Sequence, residues 1–338
     1  MHPKATLART AGNTVSKLAK LMLWMNSGCN ARCRMCDIWR EKPGRTLTVA
    51  DIARWAPEWR EVGIGTVVLC GESLMHPDVW PVVSEIRHQG IRVELLSNGL
   101  LLTRHAREVG TYCEVLRVSL DGPRAVHDRM RNVPRAYDRL RSGIAALREA
   151  FPSFPVDARC AVHRQNYQHL SATVDAAKEL GVRSLSFSGT DVYNEEAFRR
   201  FDTIDQRYVE SLVIGPEELE GLEGSLNLLW QEHAADFASG FLSDTPEQLD
   251  NLLLTYYRSL SGKDSRTIQC NAPWTSVILE YDGTLRPCFP MPAYAAAAEG
   301  ATLLDTLNSP SAVAFRRNLD VTSNATCQRC VDQSVNHC

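Results

Sequence analysis

From about residue 18 to 190 the chain alternates short β-like runs with stretches of helical period, and this alternation limits its fold more than any other feature. The apolar runs KLMLWMN, TVVLCGE, RVELLSN, VLRVSLD, VDARCAV and SLSFSG have strand length and composition. Between them, Tyr137, Leu140, Ile144, Leu147 and Phe151 are spaced in steps of three and four residues, which puts them on one face of a helix. Leu170, Val174, Ala177 and Leu180 repeat the pattern and stop at Gly181, a helix terminator. Strand, helix, strand repeated six times predicts an α/β fold with a parallel sheet and right-handed crossovers. Six units close only part of a barrel, so the expectation for residues 18–190 is a partial (β/α)6 TIM-like barrel, with residues 1–17 as a disordered lead-in.

In such folds reactive groups collect at the carboxyl ends of strands. CNARCRMC, with Cys29, Cys33 and Cys36, follows the first run; CGES ends the second, SNG the third and SLDG the fourth. The polar clusters should therefore share one rim. Residues 191–266 turn acidic and Leu-rich and read as a helical insertion. Its clearest helix is DTPEQLDNLLLTYYRSL, with Thr245 as cap before Pro246. After it, CNAPWTSVILEYDGTLRPC reads as a hairpin turning at Asp282-Gly283, which draws its flanking cysteines together. AYAAAAEG, further on, reads as a short helix or loop.

Charge and cysteine usage narrow the function. With 37 Lys and Arg against 40 Asp and Glu, a net charge of -3 gives no bulk attraction to nucleic acid or anionic membrane. No apolar run approaches the roughly 20 residues of a membrane span, and the first twenty residues lack the apolar core of a secretory signal. A soluble, cytoplasmic protein is expected. Eleven cysteines in a reducing compartment point to metal or redox chemistry before disulfides. Three thiolates can hold three irons of a four-iron cluster and leave the fourth open to an outside ligand. Structural zinc, the alternative, wants four ligands, and no His lies within the triad. A second group, Cys270, Cys288, Cys327 and Cys330, supplies a full quartet, which suits either a second cluster or zinc.

With Met35 before the last cysteine, the motif Cys29, Cys33, Cys36 resembles that of the radical S-adenosylmethionine (radical SAM) superfamily, over residues 20 to 190. The resemblance implies two cofactors at this site, a 4Fe-4S cluster on three cysteines and S-adenosylmethionine on its open iron. Reductive cleavage would then give a 5'-deoxyadenosyl radical that takes hydrogen from a substrate. It places Met35 near the adenine and has Glu72 bind the methionine ammonium. Ser97 and Asn98 would contact ribose, with Ser119 and Asp121 on the same rim. Arg131 would pair with the cofactor carboxylate, where a guanidinium fork fits; a solvated helix charge is the plainer reading. The family's Gly-Gly-Glu-Pro stands here as Cys70, Gly71, Glu72 and Ser73, which puts the local backbone in question.

CNAPW and DGTLRPCF, with the quartet, resemble the C-terminal SPASM/twitch extension of these enzymes, so residues 267–338 are expected to bind an auxiliary 4Fe-4S cluster. One quartet is closer to the twitch form, as in the dehydrogenase that oxidises deoxy-scyllo-inosamine. By that resemblance the substrate is a sugar, aminocyclitol or nucleoside of specialised metabolism, in antibiotic biosynthesis, and the reaction is alcohol to ketone. Epimerisation, dehydration, decarboxylation, or modification of a ribosomally made peptide are the alternatives. Flavodoxin or ferredoxin would supply electrons. Cys70 is a hydrogen-donor candidate set against a small core residue; Cys113 and Cys160 read as core, Cys338 as inert, and His127, His163 and His169 as structural.

Overall fold

The structure is a computed structural model that describes residues 13–41, 44–194, 196, 206–262, 264, 266, 268–295 and 301–332. Cys338, residues 1–12 of the lead-in, 197–205 of the insertion and 296–300 of the Ala-rich stretch lie outside the described residues. Six strands run parallel and adjacent in chain order: β1 (Lys20–Trp24), β2 (Thr66–Cys70), β3 (Arg92–Ser97), β4 (Val115–Ser119), β5 (Val156–Val162) and β6 (Ser184–Gly189). Each falls within one of the six apolar runs. Residues alternate in burial along β3 and β4, so one face packs and the other stays partly open. On the packed face Leu21, Leu23, Val67, Leu69, Val93, Leu95, Leu116 and Val118 join one core with residues of the covering helices.

Those helices are α1 (Val49–Glu61), α2 (Val79–His88), α3 (Leu102–Tyr112), α4 (Arg124–Arg131), α5 (Ala136–Ala150) and α6 (Leu170–Glu179). Thr48 opens α1 with a capping box: its hydroxyl accepts from Asp51 N at 3.1 Å, and Thr48 N donates to Asp51 Oδ2 at 3.0 Å. On α5 the expected stripe Tyr137, Leu140, Ile144 and Leu147 is buried, and Phe151 takes the C-cap. This architecture is the α/β partial barrel with a small C-terminal cysteine-bearing domain.

The sheet is larger than six strands. β7 (Ser276–Leu279) lies parallel to β1 on its open side, and β8 (Leu285–Arg286) runs antiparallel to β7, giving the order β6-β5-β4-β3-β2-β1-β7-β8. The C-terminal hairpin thus covers what would otherwise be an unpaired edge of β1. Its loop is longer than a two-residue turn. Glu280 N donates to Thr284 O at 2.9 Å, leaving Tyr281, Asp282 and Gly283 in the loop, and Gly283 takes φ +92°.

The insertion contains α7 (Gln206–Leu212), α8 (Leu219–Glu232) and α9 (Ala234–Ser239). Leu222, Leu226 and Leu229 of α8 are fully buried in the main core. Thr245 caps α10 (Pro246–Leu249) as expected, with Gln248 completing the box. The helix then winds as a π-helix over Asp250–Thr255 before α11 (Tyr256–Leu260). At the start of α11, Tyr256 donates its hydroxyl to Thr190 O at 3.0 Å, and Tyr257 Oη accepts from Thr190 N at 3.2 Å. The insertion is thereby fastened to the end of β6. Among the described residues no helix is long and apolar enough to cross a membrane.

Candidate active site at the strand ends

The carboxyl ends of the strands bring the sequence-selected residues together. The loop after β1 carries Cys29, Cys33 and Cys36, none of them in a disulfide, in one apolar group with Ala31, Met35, Leu100 and Ala136. Two backbone bonds hold this loop to the end of α4: Arg32 N donates to Arg131 O and Arg34 N to Met130 O, each at 3.2 Å. Donors also reach the sulfurs. Ala31 N (3.5 Å) and Asn98 Nδ2 (3.6 Å) face Cys29 Sγ, and Arg131 Nη1 faces Cys33 Sγ at 3.6 Å. Burial pushes the Cys29 thiol up to about 12, eased by the Ala31 N–H, and raises Cys33 as well. Such buried sulfurs become thiolates only when a cation takes the proton's place.

β2 delivers Glu72 through the departing sequence Cys70-Gly71-Glu72-Ser73. Gly71, at φ +69°, supplies the left-handed turn, so the lost glycine at 70 is not needed for it. Cys70 stays in the strand with its thiol donating to Val68 O at 3.4 Å, and is 2% exposed, the setting of a core residue. Ser73 replaces the family's proline and closes the corner by donating its hydroxyl to Cys70 O at 3.0 Å. Glu72 is buried, with Oε1 accepting from Ser97 Oγ at 2.9 Å and Oε2 from Asn98 N at 2.8 Å. Burial outweighs these bonds and lifts its carboxyl to about 7.

Ser97 and Asn98 therefore brace Glu72 and Cys29. Asn98 also donates Nδ2 to Asn30 Oδ1 at 2.7 Å, a contact that sequence spacing did not signal. At the end of β4, Asp121 is fully buried and pairs with Arg131 Nη2 at 2.7 Å, while Ser119 sits half-buried on the rim. Burial works against the charge on Arg131, but Asp121 and the Cys33 sulfur more than offset it and hold the guanidinium above its ordinary range. Arg131 Nε is buried without a partner among the described residues. That orphaned donor, the buried Glu72 carboxylate and the thiol pocket fit a cluster and a ligand carrying both an ammonium and a carboxylate. His127 and His163 are buried and pushed down by burial, to about 3 and about 4, so both are neutral near pH 7. Asn166, not singled out in the sequence, ties β5 to this corner by donating Nδ2 to Asp121 O (3.0 Å) and Ala161 O (2.9 Å).

The second cysteine group also gathers. Cys270, Cys288 and Cys327 pack against Ile268, Trp274, Met291, Leu319 and Val321. Cys330 follows Cys327 in the same turn, donating its N–H to Cys327 O at 3.1 Å, and its sulfur feels Cys288 and Cys270. Burial raises the thiols of Cys270, Cys327 and Cys330, Cys327 to about 11. Among the described residues no three His, Cys, Asp or Glu side chains close tightly enough to hold a single metal ion. Three sulfurs in an apolar nest, with Cys330 in the adjoining turn, suit an iron-sulfur cluster by their donor chemistry.

Residues 25–177 match the family model of the radical SAM superfamily, and residues 270–331 match that of SPASM, an iron-sulfur cluster-binding domain. Nearly half of the chain is thus similar to the radical SAM superfamily, and its C-terminal part to SPASM domains. An "AdoMet-dependent heme synthase" of Methanosarcina barkeri (strain Fusaro / DSM 804) is 34% identical to it over 169 residues, 48% of this chain and 48% of that protein. The chain thus spans about half the length of the curated relatives it matches. Streptococcus suis SuiB bound to precursor peptide SuiA superposes with a TM-score of 0.65 at 15% identity, covering 96% of this chain and 74% of that one. Native anSMEcpe with bound AdoMet gives a TM-score of 0.65 at 16% identity, covering 92% of this chain and 86% of that one. At those identities the likeness is one of fold. The radical SAM match covers the strand-end site, and the SPASM match covers Cys270, Cys288, Cys327 and Cys330.

Proposed function

We propose that this protein is a radical SAM enzyme that cleaves S-adenosylmethionine and abstracts hydrogen from a substrate. When bound by Cys29, Cys33 and Cys36, a 4Fe-4S cluster supplies the electron that yields a 5'-deoxyadenosyl radical. The observation that carries the reading is the buried Glu72 carboxylate, held by Ser97 and Asn98 beside a three-thiol loop in which Cys29 and Cys33 already receive N–H donors. In this reading Glu72 takes the ammonium of the cofactor and Arg131 its carboxylate through Nε. Met35 lines the apolar wall, and Ser119 and Asp121 shape the rim. Cys270, Cys288, Cys327 and Cys330 hold the auxiliary 4Fe-4S cluster, a flavodoxin or ferredoxin supplies electrons, and the setting is cytoplasmic.

For the substrate, we favour the alternatives to alcohol oxidation. The names of similar proteins, a heme synthase and a peptide-bound SuiB, support a redox transformation of another small molecule or a radical modification of a peptide. Oxidation of a sugar or aminocyclitol alcohol by a twitch-type enzyme is the second reading, favoured by the single auxiliary quartet.

The test is anaerobic reconstitution with dithionite and S-adenosylmethionine, scored by 5'-deoxyadenosine and by iron content. Wild type should give the nucleoside and about eight irons, and Cys33→Ala should lose the nucleoside while keeping about four. Continued cleavage by Cys33→Ala would overturn the site.

A further inference from the structure

Arg266 is almost wholly buried, 4% exposed, in the segment that leads into Cys270. Its Nη1 donates to Cys330 O at 2.9 Å and to Gln328 O at 3.2 Å, so the guanidinium spans the turn that carries Cys327 and Cys330. Gln328 reciprocates by donating Nε2 to Arg266 O at 3.3 Å. On its other side the guanidinium carbon lies 4.7 Å over the ring of Tyr256, itself fully buried and bonded to Thr190 at the end of β6. An arginine remains protonated across the working pH range, and burying its charge is costly unless a negative group repays it. Carbonyl dipoles and a ring face repay part of that cost. The cysteine turn that Arg266 grips would carry thiolates once loaded, with the net negative charge that reduction increases.

The geometry points to Arg266 as the buried counter-charge of the auxiliary site, a positioning residue that raises the reduction potential of the group held by Cys270, Cys288, Cys327 and Cys330. This rests on the reading of those cysteines as cluster ligands. A fixed cation in a low-dielectric setting stabilises the more negative, reduced state more than the oxidised one. Its contact with Tyr256 ties the same charge to the end of β6, so the auxiliary site and the radical SAM rim share one buried strut.

The test uses full-length protein with Cys29, Cys33 and Cys36 all changed to Ala, so that only the auxiliary group is seen. Iron and sulfide content come first, followed by an electron paramagnetic resonance redox titration of this background and of Arg266→Gln and Arg266→Lys in it. The background should hold about four irons. Loss of the positive charge in Arg266→Gln should lower the reduced-to-oxidised ratio at the background midpoint about tenfold, a shift of about 59 mV negative for one electron. Arg266→Lys, which keeps the charge but loses the fork, should stay near the background midpoint. If Arg266→Gln fails to retain iron, Arg266→Met repeats the loss of charge, with the same negative shift expected and an unchanged midpoint refuting the tuning role; a tenfold shift in Arg266→Lys would also overturn the proposal. An unchanged midpoint in a loaded Arg266→Gln would refute the tuning role while leaving the cluster reading intact. Zinc without iron in the background protein would overturn both.

Discussion

Gly71 sets where Glu72 points, and replacing it with alanine separates two physical costs. The first is conformational: at φ +69° an L-residue with a Cβ pays about 1–2 kcal/mol. The second is steric, because a Cβ at Gly71 would lie 2.5 Å from Trp24 Nε1 and 3.0 Å from Trp24 Cδ1. Trp24 is 1% exposed, so the indole has no free space to enter, and overpacking of this kind costs about 1–3 kcal/mol. Gly71→Ala should therefore lose about 2–5 kcal/mol. Two glycines supply controls. Gly240 has φ +76° with nothing within 4 Å of its Cβ position, so Gly240→Ala isolates the conformational cost of about 1–2 kcal/mol. Gly224, exposed inside α8 and equally unobstructed, should gain about 0.5–1 kcal/mol as alanine. Urea unfolding of the apoproteins followed by far-ultraviolet circular dichroism should rank the midpoints Gly224→Ala, wild type, Gly240→Ala, Gly71→Ala. A midpoint for Gly71→Ala equal to that for Gly240→Ala would refute the claim that the Trp24 wall fixes this corner.

Two further predictions concern buried charge. Glu72, lifted from 4.5 to about 7, holds its proton more tightly in the folded apoprotein than in the unfolded chain. Apoprotein stability should thus fall as pH rises between those values and then level off, by on the order of 3 kcal/mol. S-adenosylmethionine should bind more tightly as pH rises through about 7, and isothermal calorimetry of Glu72→Gln should show neither the affinity nor its pH dependence. Asp121→Asn should cost about 3 kcal/mol by leaving the buried Arg131 charge uncompensated, with Asp121→Asn/Arg131→Met recovering part of it; additive losses in urea unfolding would contradict the pairing.

What the sequence made legible was local. An apolar run of strand length between helical stretches marks each of the six parallel strands, and three cysteines within eight residues mark the first site without any knowledge of distance. The pairing of β7 with β1 joins residues 276–279 to 20–23, and no local pattern records a partner some 250 positions away. The π-helical segment was hidden because DTPEQLDNLLLTYYRSL has the same apolar spacing whether one turn is widened or not. Ser97 and Asn98 read from the sequence as ribose contacts, whereas their hydrogen bonds to Glu72 and Cys29 depend on where the β2 corner folds, which is set by Gly71 and Ser73. Arg266 gave no signal at all, since a lone arginine in a polar stretch reads as surface.

Arg131 shows how the folded site changes the chemistry that the sequence suggests. Read alone, an arginine near a family motif offers a two-pronged fork to a carboxylate. In the folded chain one Nη is occupied by Asp121 at 2.7 Å and the other faces Cys33 Sγ at 3.6 Å. The guanidinium is thus fixed between a carboxylate and a sulfur, and its position is set before any ligand arrives. Nε is the buried donor still without a partner. A ligand carboxylate would meet one preoriented N–H here, and the bidentate grip belongs to the protein's own network. Cost and benefit fall in different places: Asp121 keeps the buried cation stable, and the same pairing limits how strongly Arg131 can attract a second anion. Glu72 is arranged in the same way, with both oxygens engaged by Ser97 and Asn98 while keeping lone pairs free to accept from an ammonium. Both charges are held in place by neighbours that cannot themselves be the ligand, which is how a rim built from separate strand ends fixes its geometry through its own hydrogen bonds and ion pair.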